Sequence, residues 1–400
     1  MTSRRALPFL LALAGLALGA APLPAQRMKL LVPLESLIER ARRDSLDAPA
    51  HYEVALGYWL DRKYDLAERH LREAIAIEPK TAAAYLALGY LPYARRPRLW
   101  DEVREGKVPP EWVAPVNEAH RFLGQAFIID PWVDLKPLAL MIPPVSSLGA
   151  LKGGVREAFY TWFLNGLGSL WDGQYERAYK FFRDIAGNAT EEQRQKEFPG
   201  WLLWYEALAA GHSNDFTRAT ANLRILMDRA EKEAEEHDHS AALALRDANE
   251  YRYALAAFLH IAGQSREAVP LLQEVLSRDL GFYMAHARLA DIYDDMHRPR
   301  SALEERRRAV AANPDDSSLL YDLGNALVKA GELADAQLAL RQARAANPRH
   351  VRTLYVLGRV EEQLGAVEAA RDAYQHFLRL APSRFAEQRA EVEQRLQGLH

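Results

Sequence analysis

In the C-terminal third of the chain, apolar residues recur every three to four positions, and the apolar blocks come in pairs. Leu289 and Tyr293 precede Ala309; Leu323 and Leu327 precede Leu340 and Ala343; Leu357 precedes Tyr374 and Phe377. A period of 3.6 rather than 2 predicts paired amphipathic helices. Pro314, Pro348 and Pro382 sit 34 residues apart, in AANPDD, AANPRH and RLAPSR. Each proline starts a turn, because it cannot extend the helix before it. Twelve positions before each proline stand Ala302, Ala336 and Ala370, and twenty-four before stand Ala290, Gly324 and Gly358. Small residues at fixed places predict two helices in close approach. Gly331 and Gly365 fall in the turn within each pair, where glycine allows positive φ past a helix end. A period of this size means repeats, each burying its apolar face only by stacking on its neighbours.

At this point the chain resembles the tetratricopeptide repeat (TPR) family. The shared features are a 34-residue helix-turn-helix with small residues at positions 8, 20 and 27 and proline at position 32. The register extends upstream. Residues 48–81 carry Ala55, Tyr58, Ala67, Leu71, Ala74 and Pro79. A second copy begins with Tyr85, Leu88 and Gly89, is interrupted, and resumes with Ala119, Leu123, Ala126 and Pro131. Further copies run over 159–192, around Ala207 and Ala219, and around Ala256, Ala268 and Leu272. The resemblance implies an all-α, right-handed superhelix, an α-solenoid of about eight helix-turn-helix units with one ordered insertion. The segments are a capping helix within 26–47, the first repeat and the start of the second over 48–91, and the insertion with the rest of repeat two over 92–158. Units three to five follow over 159–282, units six to eight over 283–383, and a closing helix over 384–400.

The insertion is punctuated differently. Residues 92–154 hold nine of the 21 prolines and end in PVSSLGALKGG, which predicts ordered loop rather than helix. Trp100, Trp112 and Trp132 lie within it. Large aromatics either fill an irregular junction or anchor a partner, and both readings stand for these three.

Composition narrows the function class. The chain has 49% hydrophobic and 26% charged residues, as a folded globular protein does. The formal net charge of −3 and the absence of a basic run argue against nucleic acid as a partner. Residues 1–25 read as a secretory signal: Arg4 and Arg5, then an apolar run from Leu7 to Ala21, with Ala20, Ala21 and Ala25 as small residues suited to cleavage. Cleavage after Ala25 leaves Gln26 first; cleavage after Ala20 is the rival site, and an uncleaved anchor is the alternative. With no cysteine there are no disulfides or thiolate metal sites. The expectation is an exported, periplasmic protein without stable membrane insertion once the signal is removed.

Candidate chemistry is sparse. His237 and His239 stand among carboxylates, but residues at i and i+2 do not share a helix face, so a solvated charge run is expected and no metal. No phosphate loop, zinc-binding histidine pair or nucleophile elbow occurs. Ser146 and Ser147 have no neighbouring base in the sequence. No cofactor and no catalytic residue are expected. The TPR resemblance implies instead that helix A side chains line an inner groove. Those positions hold Arg288, Asp291, Asp294 and Asp295, then Tyr321, Asp322, Asn325 and Lys329, then Arg352, Tyr355, Arg359 and Glu362. Positions where some family members clamp a peptide carboxylate hold Ala287, Asp291, Asp322, Arg352 and Val356, so that clamp is not expected. The expected function is a non-catalytic scaffold binding a protein or peptide in a bacterial envelope. An accessory subunit of a secretion or polysaccharide-export assembly is one alternative, and a hydrolase with its site in 92–154 is another.

Overall fold

A computed structural model describes residues 29–399, apart from 105, 131, 141–153, 188–189, 191, 193, 196–197, 199 and 237–246. The signal segment, Ser146, Ser147, His237 and His239 lie outside the described residues. Among the described residues all regular structure is helical. The order is α1 (Leu34–Arg43), α2 (Ala48–Leu60), α3 (Tyr64–Ile77), α4 (Ala82–Arg95), α5 (Leu99–Arg104), α6 (Pro110–Ile129) and α7 (Lys136–Ala139). Then come α8 (Gly154–Trp171), α9 (Tyr175–Ala186), α10 (Gly200–His212), α11 (Phe216–Glu236), α12 (Ala248–Ile261) and α13 (Ser265–Arg278). The last are α14 (Tyr283–Asp295), α15 (Pro299–Ala312), α16 (Ser317–Ala330), α17 (Leu333–Ala346), α18 (Val351–Gln363), α19 (Val367–Leu380) and α20 (Ala386–Gly398).

The helices fall into two compact units that are not contiguous in sequence. One comprises the described residues within Met1–Leu31, Leu86–Phe127 and Pro131–Phe258; the other, those within Val32–Tyr85, Ile128–Asp130 and Leu259–His400.

In the first unit, the described part of the stretch expected as loop is largely helical over α5, α6 and α7; the PVSSLGALKGG run lies outside the described residues up to Gly153. Pro110 occupies the first position of α6, where no intrahelical N–H is needed. Pro115 inside α6 and Pro92 inside α4 each remove one backbone donor without ending the helix. Apolar burial outweighs that loss: Val116, Ala119, Leu123, Ala126 and Phe127 are all buried along α6. Gly89, expected in the second repeat, lies against Leu123. The B helix of that repeat simply starts earlier than the pattern indicated. Similarly, α8 begins at Gly154, five residues ahead of the expected repeat start. The core is aromatic. Phe127 meets Trp204 edge-on at 4.6 Å, and Phe163 meets Trp201 at 4.7 Å. A buried ion pair, Arg194 to Glu206 at 2.6 Å, is joined by Asn222, which donates to Glu206 at 2.9 Å.

In the second unit, α2–α3, α14–α15, α16–α17 and α18–α19 are helical hairpins, with α1 against α2 and α20 against α19. Gly331 and Gly365 have φ of 78° and 74°, as their turns require. Asp316 caps α16, accepting from the N–H groups of Ser318 and Leu319 at 2.8 and 3.2 Å. A Cβ on Gly324 would lie 2.6 Å from Leu340, and one on Gly358 would lie 2.4 Å from Tyr374. Both glycines therefore set how closely A and B helices approach. The first repeat packs with the last ones, across more than 200 residues of intervening sequence. Asn347 donates to the main-chain carbonyls of Ala76 and Ile77, at 3.2 and 3.4 Å, at the C-terminal end of α3.

Candidate functional site

Helix periodicity builds a polar stripe on the inner face of the second unit. On α16, Asp322, Asn325 and Lys329 stand at i, i+3 and i+7 and share one face. On α14, Asp291 and Asp294 stand at i and i+3. With Arg300 and Arg306 of α15 they border a cavity of about 830 Å³. Leu303 and Ala326 supply its apolar floor, and Lys80 reaches in from the turn after α3.

The cavity is balanced in charge and mostly paired. Arg306 bridges Asp291 and Asp294, at 3.3 and 2.7 Å. Lys80 pairs with Asp322. Glu332 is held by Arg307 at 2.6 Å. Arg300 and Lys329 are exposed at the rim. Alternating carboxylates, cations and one amide suit an extended backbone with polar side chains, since each group offers a donor or acceptor at fixed spacing.

The structure sorts the sequence-predicted residues. Asp291, Asn325 and Lys329 meet in the cavity. Arg288 flanks it, 4.0 Å from Asp291. Asp295 turns away to His260 at 2.8 Å. Tyr321 packs edge-on against His350 at 5.0 Å. Burial holds His350 near a pKa of about 4, and Thr353 shares a 2.7 Å hydrogen bond with it. Arg352 pairs with Glu78 of the first repeat at 3.4 Å. Tyr355 donates to Glu391 of α20 at 2.6 Å, and the Arg359 guanidinium lies 5.8 Å from the Tyr355 ring centre. Arg352, Tyr355 and Arg359, expected to line the groove, are thus engaged by the chain itself.

The tryptophans divide as well. Trp100 is only 3% exposed and packs at a tilt against Tyr93, ring centres 5.2 Å apart, so it is core and not an accessible anchor. Trp132 stacks on His212 at 4.7 Å. Its ring fills the same junction as Phe216 and Phe258. Trp112 is partly exposed, with the Arg96 guanidinium 6.0 Å from its ring. Sequence reasoning missed Lys80 and Arg306. Arg306 lies on a B helix, and Lys80 belongs to a repeat far away in sequence, so no local pattern marks either.

Comparison with known proteins finds similarity in the C-terminal repeats. The tetratricopeptide repeat family model matches residues 288–336 and 321–385. The human protein O-mannosyl-transferase TMTC1 is 26% identical over 208 residues, which is 51% of this chain. The match spans only 22% of that relative's length. Among solved structures, MamA RS-1 aligns at 20% identity and TM-score 0.36, covering 47% of this chain and 97% of MamA. PilF of Pseudomonas aeruginosa aligns at 18% identity and TM-score 0.38, covering 60% of this chain and 100% of PilF. A TPR protein of Cytophaga hutchinsonii aligns at 14% identity and TM-score 0.41, covering 57% of this chain and 84% of its own.

Proposed function

We propose that this tetratricopeptide-repeat protein is a non-catalytic scaffold that holds an extended segment of a protein partner in its C-terminal cavity. The observation that carries this reading is the polar stripe of Asp322, Asn325 and Lys329 on α16, facing a cavity of about 830 Å³. Repeat proteins commonly bind along such a face. The site of action is outside the cytoplasm of a bacterium, in the cell envelope. That part of the proposal rests on the Arg-flanked apolar segment at residues 1–25.

Two experiments test it. Asn325→Ala with Lys329→Ala should reduce capture of partner proteins from envelope extract, read by quantitative mass spectrometry, while the helical circular dichroism stays unchanged. Equal capture by wild type and variant would remove the cavity from the proposal. Intact mass of the exported protein should place the mature N-terminus near Gln26. A membrane-bound product retaining Met1 to Ala25 would remove the export step. The hydrolase alternative for residues 92–154 gains nothing from Trp100, which lies in a packed core.

A further inference from the structure

Lys80 is where the first repeat enters the cavity. Arg306 answers Asp291 and Asp294, so it is Lys80 that answers Asp322. The repeat is brought there by a set of contacts at the end of α3. Asn347 receives the end of that helix. Arg349 pairs with Glu73, while Arg352 and Arg384 take Glu78 at 3.4 and 3.1 Å. The side chains of these ion pairs keep between 17% and 48% of their surface in solvent. Pairs so exposed each contribute little and are screened by salt. The ion pairs at this helix end are thus individually weak, while Asn347, itself buried, holds the same end through neutral hydrogen bonds.

We propose that Lys80 is a built-in pseudoligand, and that Asp322 receives a lysine or arginine side chain of the partner segment once the first repeat lifts away. This rests on the peptide-binding reading of the cavity and adds to it the ligand's charge and the step that gates it. With Lys80 in place, the acidic and basic groups at the cavity cancel. Without it, Asp322 lacks a counter-charge, and a cationic side chain of a partner restores the balance. The closed form lowers apparent affinity by the fraction of molecules that are open.

The test uses the full chain and fluorescein-labelled tetralysine, with tetraglutamate as control, read by fluorescence polarisation at low salt. Glu73→Gln with Glu78→Gln loosens the docking. It also removes two negative charges, so any non-specific attraction for tetralysine falls. We expect it nevertheless to tighten tetralysine binding roughly three- to tenfold. Lys80→Met should tighten it similarly, and Asp322→Asn added to either variant should abolish the gain. Circular dichroism shows that each variant is folded. Failure of either opened variant to tighten binding, with wild-type binding still sensitive to Asp322→Asn, overturns the pseudoligand and leaves the cavity as a peptide site. A gain that survives Asp322→Asn puts the probe elsewhere and overturns both.

Discussion

Gly358→Ala tests whether the spacing of the A and B helices is set where the repeat pattern places it. The added Cβ would lie 2.4 Å from Cε1 and 2.5 Å from Cδ1 of Tyr374. Ordinary carbon contacts are about 3.5–4.0 Å, so the overlap exceeds about 1 Å. The ring cannot swing aside easily. It is fully buried, and its hydroxyl donates to Glu362 at 2.7 Å. Alanine gains about 1 kcal/mol in helix propensity over glycine. Overpacking costs about 1–3 kcal/mol, and loosening the phenol hydrogen bond about 1 kcal/mol more. The clash wins, and the expected net loss is about 1–3 kcal/mol. In a Tyr374→Ala background the clash is gone and only the propensity gain remains, so the same substitution should stabilise by up to about 1 kcal/mol. The sign reversal corresponds to a coupling of about 2–4 kcal/mol, at the upper end for residues in contact. Hydrogen exchange of peptides from α18 and α19 in the full chain reads this locally. Tryptophan fluorescence would not, because all eight tryptophans lie between positions 59 and 204. The reasoning is refuted if Gly358→Ala is neutral in the wild type, or equally destabilising in both backgrounds.

Other expectations follow from burial and charge. The pKa of His350 is lowered to about 4 by burial, against 6.5 in the unfolded chain, so its contribution is complete above pH 6.5 and is lost as pH falls towards 4. The loss is about 2 kcal/mol by pH 5, and His350→Asn should flatten exchange-derived stability of α18 between pH 6.5 and 5; an unchanged slope would refute it. Trp100→Ala should cost about 3–5 kcal/mol in urea unfolding, and Trp112→Ala less than about 1 kcal/mol, because only the first empties a core site. Equal costs would contradict the burial pattern. At 1 M NaCl, where screening reaches about 3 Å, exchange should rise around Glu73 to Lys80 and stay constant within α18 and α19.

The C-terminal repeats were legible because three independent signals agree on one register. Proline ends each B helix, glycine permits each tight turn, and apolar spacing marks the buried faces. Each signal acts within a few residues, so a single sequence displays it. The described part of 92–154 departs from its expected loop for the same reason. Proline there was weighed by its local cost, one backbone donor at Pro92 and one at Pro115. The compensation is tertiary: Leu123 and Phe127 are almost fully buried, the first against Gly89 and the second against Trp204. Tryptophan content pointed to this region correctly as unusual. It could not separate a partner anchor from a core residue, since the two differ only in what packs around the ring.

The candidate site was half legible, and the missing half has a common physical character. Helix A positions located Asp291, Asn325 and Lys329, because a helix face repeats at fixed spacing. Lys80, Glu73 and Glu78 look like ordinary polar surface of a first repeat. Of their partners, Arg349 and Arg384 look like ordinary polar surface of the last ones, and Asp322 and Arg352 are groove positions whose pairing with a distant repeat no local pattern marks. A contact made of exposed charges needs no apolar stripe and no special turn, so it leaves no periodic trace. The same property makes it weak, since each pair trades protein for water at little net gain. Apolar stacking within the helical hairpins therefore keeps the repeats folded, whereas docking of the first repeat draws on exposed charges, which a partner segment can also supply, together with the Asn347 hydrogen bonds. A scaffold built this way can open one contact without unfolding the repeats that carry its binding face.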